Sequence, residues 1–206
     1  EPIRALLARF DAAVVWMRDD DGALKQAIQS CGLNDVRTFA GLPPAGWDRH
    51  ASEYYLQCLG FEASAPFRLS LPPVDTSLDV IIHPGSGGKA KNWPLDRFMA
   101  LAGELRVRGR EVHWCVGPAE EGVTLPADAK VLSEPSLTAL ARCLTAARDY
   151  VGNHSGATHL AAACGTRTTA VFGPTKPHVW APRGAHVRAV RGAPWPRVDD
   201  VLSALL

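Results

Sequence analysis

Residues 149–163 read Asp-Tyr-Val-Gly-Asn-His-Ser-Gly-Ala-Thr-His-Leu-Ala-Ala-Ala, and this stretch decides the fold. A short apolar strand ending at Val151 passes through small and hydroxylated residues into an alanine-rich helix. At the start of such a helix the amides of Ser155, Gly156 and Ala157 would point outward at its positive end. The stretch therefore predicts a strand–loop–helix unit of an α/β protein, with a loop suited to an anion.

The same alternation of strand and helix recurs on both sides of this stretch. The predicted strands are Val80–His83, Glu111–Val116, Lys130–Leu132, Asp149–Val151, Thr168–Val171 and Val187–Val190. The predicted helices are Leu95–Arg108, Leu137–Ala147, Thr158–Cys164 and Val198–Leu205. Strands separated by helices predict a doubly wound, Rossmann-like domain, in which ligands bind beyond the carboxyl ends of the strands.

A smaller set of elements precedes this block. It comprises predicted strands at Ala12–Met17 and Val36–Phe39 and predicted helices at Ala23–Cys31 and His50–Leu59. Residues 63–78 carry three prolines among serine and threonine, a composition typical of a connection between two units. We therefore expect a partial Rossmann-like N-terminal domain over residues 1–72 and a complete one over residues 73–206.

Composition excludes several classes of function. The 206 residues carry 22 Lys and Arg against 21 Asp and Glu, a net charge of +1, so no overall basic field would attract nucleic acid. Any phosphate binding must then be local. The five cysteines are widely spaced and form no Cys-x-x-Cys pair, which argues against a disulfide framework or a zinc site. No apolar run approaches the roughly 20 residues needed to span a bilayer.

Residues 83–94, His-Pro-Gly-Ser-Gly-Gly-Lys-Ala-Lys-Asn-Trp-Pro, form a second candidate loop. Its glycines allow close approach of the backbone to a ligand, and its two lysines favour phosphate. A P-loop is excluded, because its spacing would require glycine where His83 stands. Gly85-x-Gly87-x-x-Ala90 fits a looser dinucleotide fingerprint, which keeps an NAD-dependent oxidoreductase open as an alternative, although Pro94 delays the helix.

Three further features have weaker interpretations. Glu120 and Glu121 follow a strand and suit either ribose hydroxyls or a solvated turn. Ser155 is not a nucleophile elbow, because that motif requires glycine where Asn153 stands. His154 and His159 are five residues apart, a spacing that does not put two metal ligands on one helical face, so we expect no metal site.

Together the loops resemble glycosyltransferase family 9, the heptosyltransferases of lipopolysaccharide inner-core synthesis, which have the GT-B architecture. The resemblance rests on Ile82-His83-Pro84-Gly85, Lys91-Asn92-Trp93-Pro94, Gly117-Pro118-Ala119-Glu120-Glu121, Ser136-Leu137, Val151-Gly152-Asn153-x-Ser155-Gly156-x-x-His159-Leu160-Ala161-Ala162-Ala163 and Phe172-Gly173-Pro174-Thr175-x-Pro177. It covers residues 80–182 strongly and the first block weakly.

The resemblance implies a nucleotide-sugar site in the second domain. Lys91 would meet the diphosphate, with Ser86 and Gly87 beside it, and Ser155 and Gly156 would hold the same phosphates near His159. Glu121, or less directly Glu120, would bind ribose, and Ser136 with Pro135 would line the adenine. The family usually has Asp at the position of His154. Replacing that carboxylate with an imidazole would remove an acceptor for sugar hydroxyls and add a donor toward phosphate.

The implied reaction is inverting transfer of a sugar, heptose by resemblance, from an ADP-sugar to a lipopolysaccharide-core-type acceptor, without metal or cofactor. The implied location is the cytoplasm, with peripheral contact at the inner face of the inner membrane. The family's catalytic base is an acid near the start of its first domain, in a segment to which nothing here corresponds, so no base is nominated. A different donor, or a nucleotide-binding remnant without catalysis, remains open.

Overall fold

The computed structural model describes residues 2–62, 66–72, 77–117, 122–133 and 136–206. The chain divides into two compact units, residues 1–63 and residues 64–206, called here the first and second units. The predicted domain boundary lies further on, between residues 72 and 73, next to residues outside the described ranges. Leu69, before that boundary, donates its backbone N–H to the Ala163 carbonyl at 2.8 Å, which ties this segment to the second unit.

The first unit is built around a two-stranded parallel sheet. Its elements are α1 (Pro2–Leu7), β1 (Ala12–Val15), α2 (Ala23–Ser30), β2 (Asp35–Thr38) and α3 (Ala51–Cys58). Trp16, just after β1, contacts Phe39, Tyr54 and Tyr55, with ring centroids 4.9–6.4 Å apart. Helix α1 was not predicted from the sequence. Ile3, Leu6 and Leu7 have helical spacing, but the helix has only six residues, which are too few to establish a period, and none of its side chains is buried.

The second unit carries the remaining elements. They are β3 (Leu78–His83), α4 (Leu95–Val107), β4 (Val112–Cys115), β5 (Lys130–Leu132), α5 (Leu137–Ala146), β6 (Ala147–Asn153), α6 (Gly156–Cys164), β7 (Arg167–Phe172), α7 (Pro177–Trp180), β8 (Val187–Arg191) and α8 (Val198–Leu205). The six strands form one parallel sheet in the order β5-β4-β3-β6-β7-β8. This is the doubly wound order that the sequence predicts.

The strand order places the two candidate loops side by side. The chain runs outward from β3 through β4 to β5, then returns to the centre and runs the other way from β6. The connections therefore diverge between β3 and β6, which leaves a crevice at the carboxyl ends of these strands. His83 pairs with Gly152 at the ends of β3 and β6, so both loops begin at the same level.

Helices cover both faces of this sheet. Ile82 of β3 packs on one side with Leu101 of α4 and Leu202 of α8, whereas Ile81 packs on the other side with Leu144 of α5. Successive residues of a strand point to opposite faces, so a strand covered on both sides is apolar throughout. Continuous burial of the central strands gives the two loops a rigid support.

A buried ion-pair network lies at the amino end of the same sheet. Asp149 of β6 is 1% exposed and accepts from Arg110 at 2.6 Å and from Arg167 at 2.7 and 2.8 Å. Arg110 also donates to both carboxylate oxygens of Asp79, and it lowers the pKa of that carboxyl. The network is far along the strands from the loops, so it serves the stability of the sheet.

The structure corrects several predicted element bounds. Helix α6 begins at Gly156, two residues before the predicted Thr158, because Ser155 already caps it: its Oγ accepts from the Thr158 N–H at 3.4 Å. Strand β6 follows α5 directly and is longer at both ends than the predicted Asp149–Val151. Helix α7 lies in the proline-containing segment after β7, where no helix was predicted. Within the described ranges, no helix is long and apolar enough to cross a membrane.

Candidate functional site

Asn153, the last residue of β6, joins the two candidate loops. Its side chain is fully buried; Oδ1 accepts from the Trp93 N–H at 2.7 Å, and Nδ2 donates to the Pro84 carbonyl at 2.6 Å. Residues 83–94 are called here the glycine loop. The Asn153 amide thus connects both ends of this loop to the start of the loop after β6. From the sequence, Asn153 was identified only as part of a motif. Its position at the end of a buried strand was the available signal, because a buried amide must find hydrogen-bond partners.

The glycine loop is shaped by Ser86. The Ser86 hydroxyl lies 2.6 Å from Asn92 Oδ1 and 3.0 Å from the Gly88 carbonyl, and its oxygen accepts from the Gly88 N–H at 3.3 Å. Ser86 therefore acts inside the loop. At Gly87 an added Cβ would meet no atom within 4 Å, so open space lies beside this backbone. A single 3-10 turn, Lys89–Lys91, follows, with Lys91 half-buried and Lys89 exposed.

The start of α6 forms the other side of the site. Ser155 is buried and caps the helix through its hydroxyl, while Thr158 donates to the Asn153 carbonyl, so the first turn is fixed to the end of β6. Gly156 is exposed, and an added Cβ there would also meet nothing within 4 Å. The first amides of a helix have no partner within it, and they carry its positive end. The arrangement suits an anion.

His154 lies at the start of this loop, directly after β6. Its ring stacks on Phe172 at 5.3 Å and on Trp180 at 5.9 Å between centroids, and it lies 6.2 Å from the His159 ring. Burial, followed by the positive charge of Lys91 and then His159, lowers the pKa of His154 to about 4. His154 is therefore neutral at pH 7. Lys91 and His159 both lie near enough to His154 to lower its pKa, so these three residues occupy one region of the structure.

Ser136, a residue predicted to line the adenine, lies beyond the end of a different strand. Ser136 follows the edge strand β5 and caps α5, where its Oγ accepts from the Ala139 N–H at 3.2 Å. The predicted roles of Glu120, Glu121 and Pro135 lie outside the described residues. Across the described part of the chain, no three His, Cys, Asp or Glu side chains are grouped so that they could hold a metal ion.

The geometry of the glycine loop disfavours the dinucleotide alternative. A dinucleotide fingerprint places the glycines directly at the start of a helix, whose first amides bind the pyrophosphate. Here the 3-10 turn separates Gly87 from α4, and Pro94 occupies the N-cap position. Proline has no N–H, and Leu95 begins the helix eight residues after Gly87. The helix start available for an anion is that of α6.

In the first unit, a depression of about 640 Å³ lies just beyond the carboxyl ends of β1 and β2. Its lining includes Trp16, Leu42, Pro43 and Tyr54, with Arg18 as its charged residue. The Tyr54 hydroxyl donates to the Ala40 carbonyl at 2.9 Å, which holds the phenol ring in place. The depression is aromatic, rigid at its base and large enough for a small polar ligand.

Fold and site together define a class of protein. The second unit is a doubly wound, Rossmann-like domain whose two candidate loops lie at the divergence of β3 and β6. The sequence model of glycosyltransferase family 9 (heptosyltransferase) matches residues 44–201, more than half of the chain. The chain belongs to glycosyltransferase family 9.

Individual relatives agree with this assignment. Lipopolysaccharide heptosyltransferase 1 of Pseudomonas aeruginosa is 32% identical over an aligned length of 154 residues, and the match covers 65% of this chain and 42% of that protein. The chain therefore spans less than half of this relative's length. Among solved structures, E. coli heptosyltransferase WaaC with ADP matches with a TM-score of 0.67 and 21% identity, over 98% of this chain and 77% of that chain.

E. coli ADP-heptose lps heptosyltransferase II matches with a TM-score of 0.64 and 20% identity, over 99% of this chain and 77% of that chain. These likenesses confirm the predicted α/β fold of the GT-B type, and the family match confirms the resemblance seen in the sequence. They leave the role of each predicted site residue as a prediction.

Proposed function

We propose that this chain is the donor-binding part of a glycosyltransferase, which holds a nucleoside-diphosphate sugar at the glycine loop and the start of α6. The observation that supports this most is the convergence of Lys91 and the α6 start around His154, beside a loop that Asn153 fastens at both ends. Fixed positive groups that lie together at the carboxyl ends of neighbouring strands suit a diphosphate.

The residues have distinct roles in the proposed site. Lys91 supplies the charge, the Gly87 and Gly156 positions leave room for close approach, and Ser155 fixes the helix start. His154 and His159 flank the phosphates. We assign ribose to Glu121 and the adenine side to Ser136.

In the proposed reaction an acceptor hydroxyl attacks the anomeric carbon and loses its proton to a base. A new C–O bond forms on the face opposite the leaving group, and the bond to the diphosphate oxygen breaks, so configuration inverts. Negative charge develops on the departing diphosphate, where Lys91 and the α6 amides would stabilise it. This chemistry requires no metal, because the fixed donors take the charge. No described residue is assigned as the base.

The names of the relatives suggest the substrates. WaaC was solved with ADP, and the P. aeruginosa relative is a lipopolysaccharide heptosyltransferase, so we propose an ADP-sugar, with heptose as the sugar, and a lipopolysaccharide-core-type acceptor. The depression lined by Trp16 and Tyr54 is the proposed acceptor side, since aromatic rings suit the apolar faces of sugars and Arg18 suits an anionic acceptor. We place the enzyme in the cytoplasm, in peripheral contact with the inner membrane.

Calorimetry with ADP, UDP and GDP tests the donor site. We expect ADP to bind most tightly and Lys91→Ala to weaken it by about tenfold or more, because a charge-assisted contact is lost. Lys89→Ala is the matched control, since Lys89 is exposed on the same turn, and it should change affinity less than about threefold. Absence of binding by all three diphosphates would refute the proposal. Enhanced NADH fluorescence on mixing would favour the oxidoreductase instead.

A further inference from the structure

The His154 ring is held in a fixed plane. It stacks on Phe172, which is fully buried, with an interplanar angle of 21°, and on Trp180 with an angle of 30°. Two aromatic contacts restrict rotation of the imidazole about its side-chain bonds. A polar group held in this way is pre-organised, so it loses little conformational entropy when a ligand binds.

The surroundings of the ring indicate which nitrogen carries the hydrogen. Nδ1 of His154 is buried and has no hydrogen-bond partner among the described residues. A neutral imidazole has one N–H and one acceptor nitrogen, and a buried N–H without a partner is rarer in proteins than an under-satisfied acceptor. The hydrogen therefore belongs on Nε2, which is not among the buried unpaired atoms. In this state His154 presents a single N–H donor.

Burial and the neighbouring charges keep His154 neutral. Burial lowers the pKa of the ring most, and Lys91, on the glycine loop, and then His159, on α6, lower it further. Phe172 and Trp180, which pack against its faces, carry no charge. The ring therefore stays neutral while Lys91 supplies the positive charge of this region.

We infer that His154 determines recognition of the distal phosphate: its Nε2–H donates an uncharged hydrogen bond to an oxygen of the second phosphate of the donor. This inference rests on the proposed function, because it takes Lys91 and the α6 start as the diphosphate site. A carboxylate at this position would pair with Lys91 and would offer no N–H to the phosphates. A neutral donor leaves the Lys91 charge for the ligand and adds a directional contact.

Calorimetry of the full chain with ADP and AMP separates this role from a merely structural one. His154→Phe keeps an aromatic ring for stacking and removes the donor, so we expect ADP affinity to fall about tenfold and AMP affinity to change less than about twofold. His154→Gln, whose amide N–H reaches about as far as Nε2, should restore ADP binding to within about threefold.

The outcomes distinguish the inference from the function on which it rests. If the unaltered chain binds no nucleoside diphosphate, the proposed function is wrong and this inference falls with it. The inference alone is overturned if the unaltered chain binds ADP and His154→Phe binds it equally well. It is also overturned if His154→Phe lowers the affinities for ADP and AMP by the same factor.

A measurement on the unaltered chain does not depend on how the variants fold. Nitrogen-15 NMR of the imidazole at pH 7 should show hydrogen on Nε2, and ADP should shift the Nε2 resonance more than AMP does. Hydrogen on Nδ1, or equal shifts with both nucleotides, would contradict the inference.

Discussion

The two units achieve order by different means. The second unit has a six-stranded sheet covered on both faces, with Ile81, Ile82 and Val151 all fully buried. In the first unit the sheet has two strands, and the buried apolar side chains of its described residues are Leu33, Val36 and Ala51. Aromatic rings in tilted and edge-to-face contact with Trp16 supply much of the remaining packing. A rigid site therefore belongs with the second unit, and each prediction below tests this contrast.

The largest effect is expected at Asp149. Asp149→Ala would leave Arg110 and Arg167 without their shared buried carboxylate, and removing one partner of such a network costs about 3–5 kcal/mol in free energy of unfolding. Hydrogen exchange of the β6 amides and urea unfolding both report this loss. The matched change in the first unit is Asp35→Ala, whose partner Arg37 is 52% exposed and 3.6 Å away; it should cost less than about 1 kcal/mol. Equal costs would break the contrast.

Core truncation should give the next largest effect. Leu101 of α4 is fully buried in the core cluster, so Leu101→Ala would remove apolar contacts and leave a cavity, at a cost of about 3 kcal/mol. Leu42 of the first unit is 66% exposed, so Leu42→Ala should change the free energy of unfolding by less than about 0.5 kcal/mol. Urea titrations of both variants against the unaltered chain provide the test; a large loss at Leu42 would show a tighter first unit than we describe.

The smallest effect concerns pH. The pKa of His154 is about 4 in the folded chain, below the ordinary 6.5, so between these values the unfolded chain binds more protons there. The free energy of unfolding should fall as the pH drops from 6.5 towards 4, and the contribution is fully present above 6.5. From pH 7 to pH 5 we expect about 1 kcal/mol from this half-buried ring.

His154→Phe should remove this contribution to the change in free energy of unfolding with pH, which is called here the slope. Urea unfolding at both pH values measures it, and Lys89→Ala, a change at an exposed site nearby, should keep the slope of the unaltered chain. An unchanged slope in His154→Phe would mean that other groups govern the pH response of the second unit.

Much of the second unit follows from local signals in the sequence. Apolar β-branched runs marked β3 and β7, and Gly165 marked the end of α6. Ser155 and Gly156 were predicted to form part of an anion loop from their residue types alone, and their ligand stays a prediction. The early start of α6 was missed because small residues before an alanine run suit a loop as well as a capped first turn.

The rest depended on contacts that local patterns do not contain. The partners of Asn153 lie 60 and 69 residues away along the chain, so its joining role becomes visible only once β3 and β6 are neighbours. Likewise, the pKa of His154 is lowered by burial and then by the charge of Lys91, which comes from another loop, and neither is visible in the local sequence. Helix α7 has only four residues, the first of which is Pro177, and these are too few for a periodic pattern.

The two hydrogen bonds of Asn153 also have a consequence for chain entropy. They close the segment between Pro84 and Trp93 into a loop of eight residues whose ends are already together. The conformational entropy of bringing the two ends of the loop together is therefore lost when the sheet folds. Ligand binding then causes little further loss of entropy in this loop. One amide side chain therefore acts on the loop as a reversible cross-link, which shortens the chain left to fluctuate.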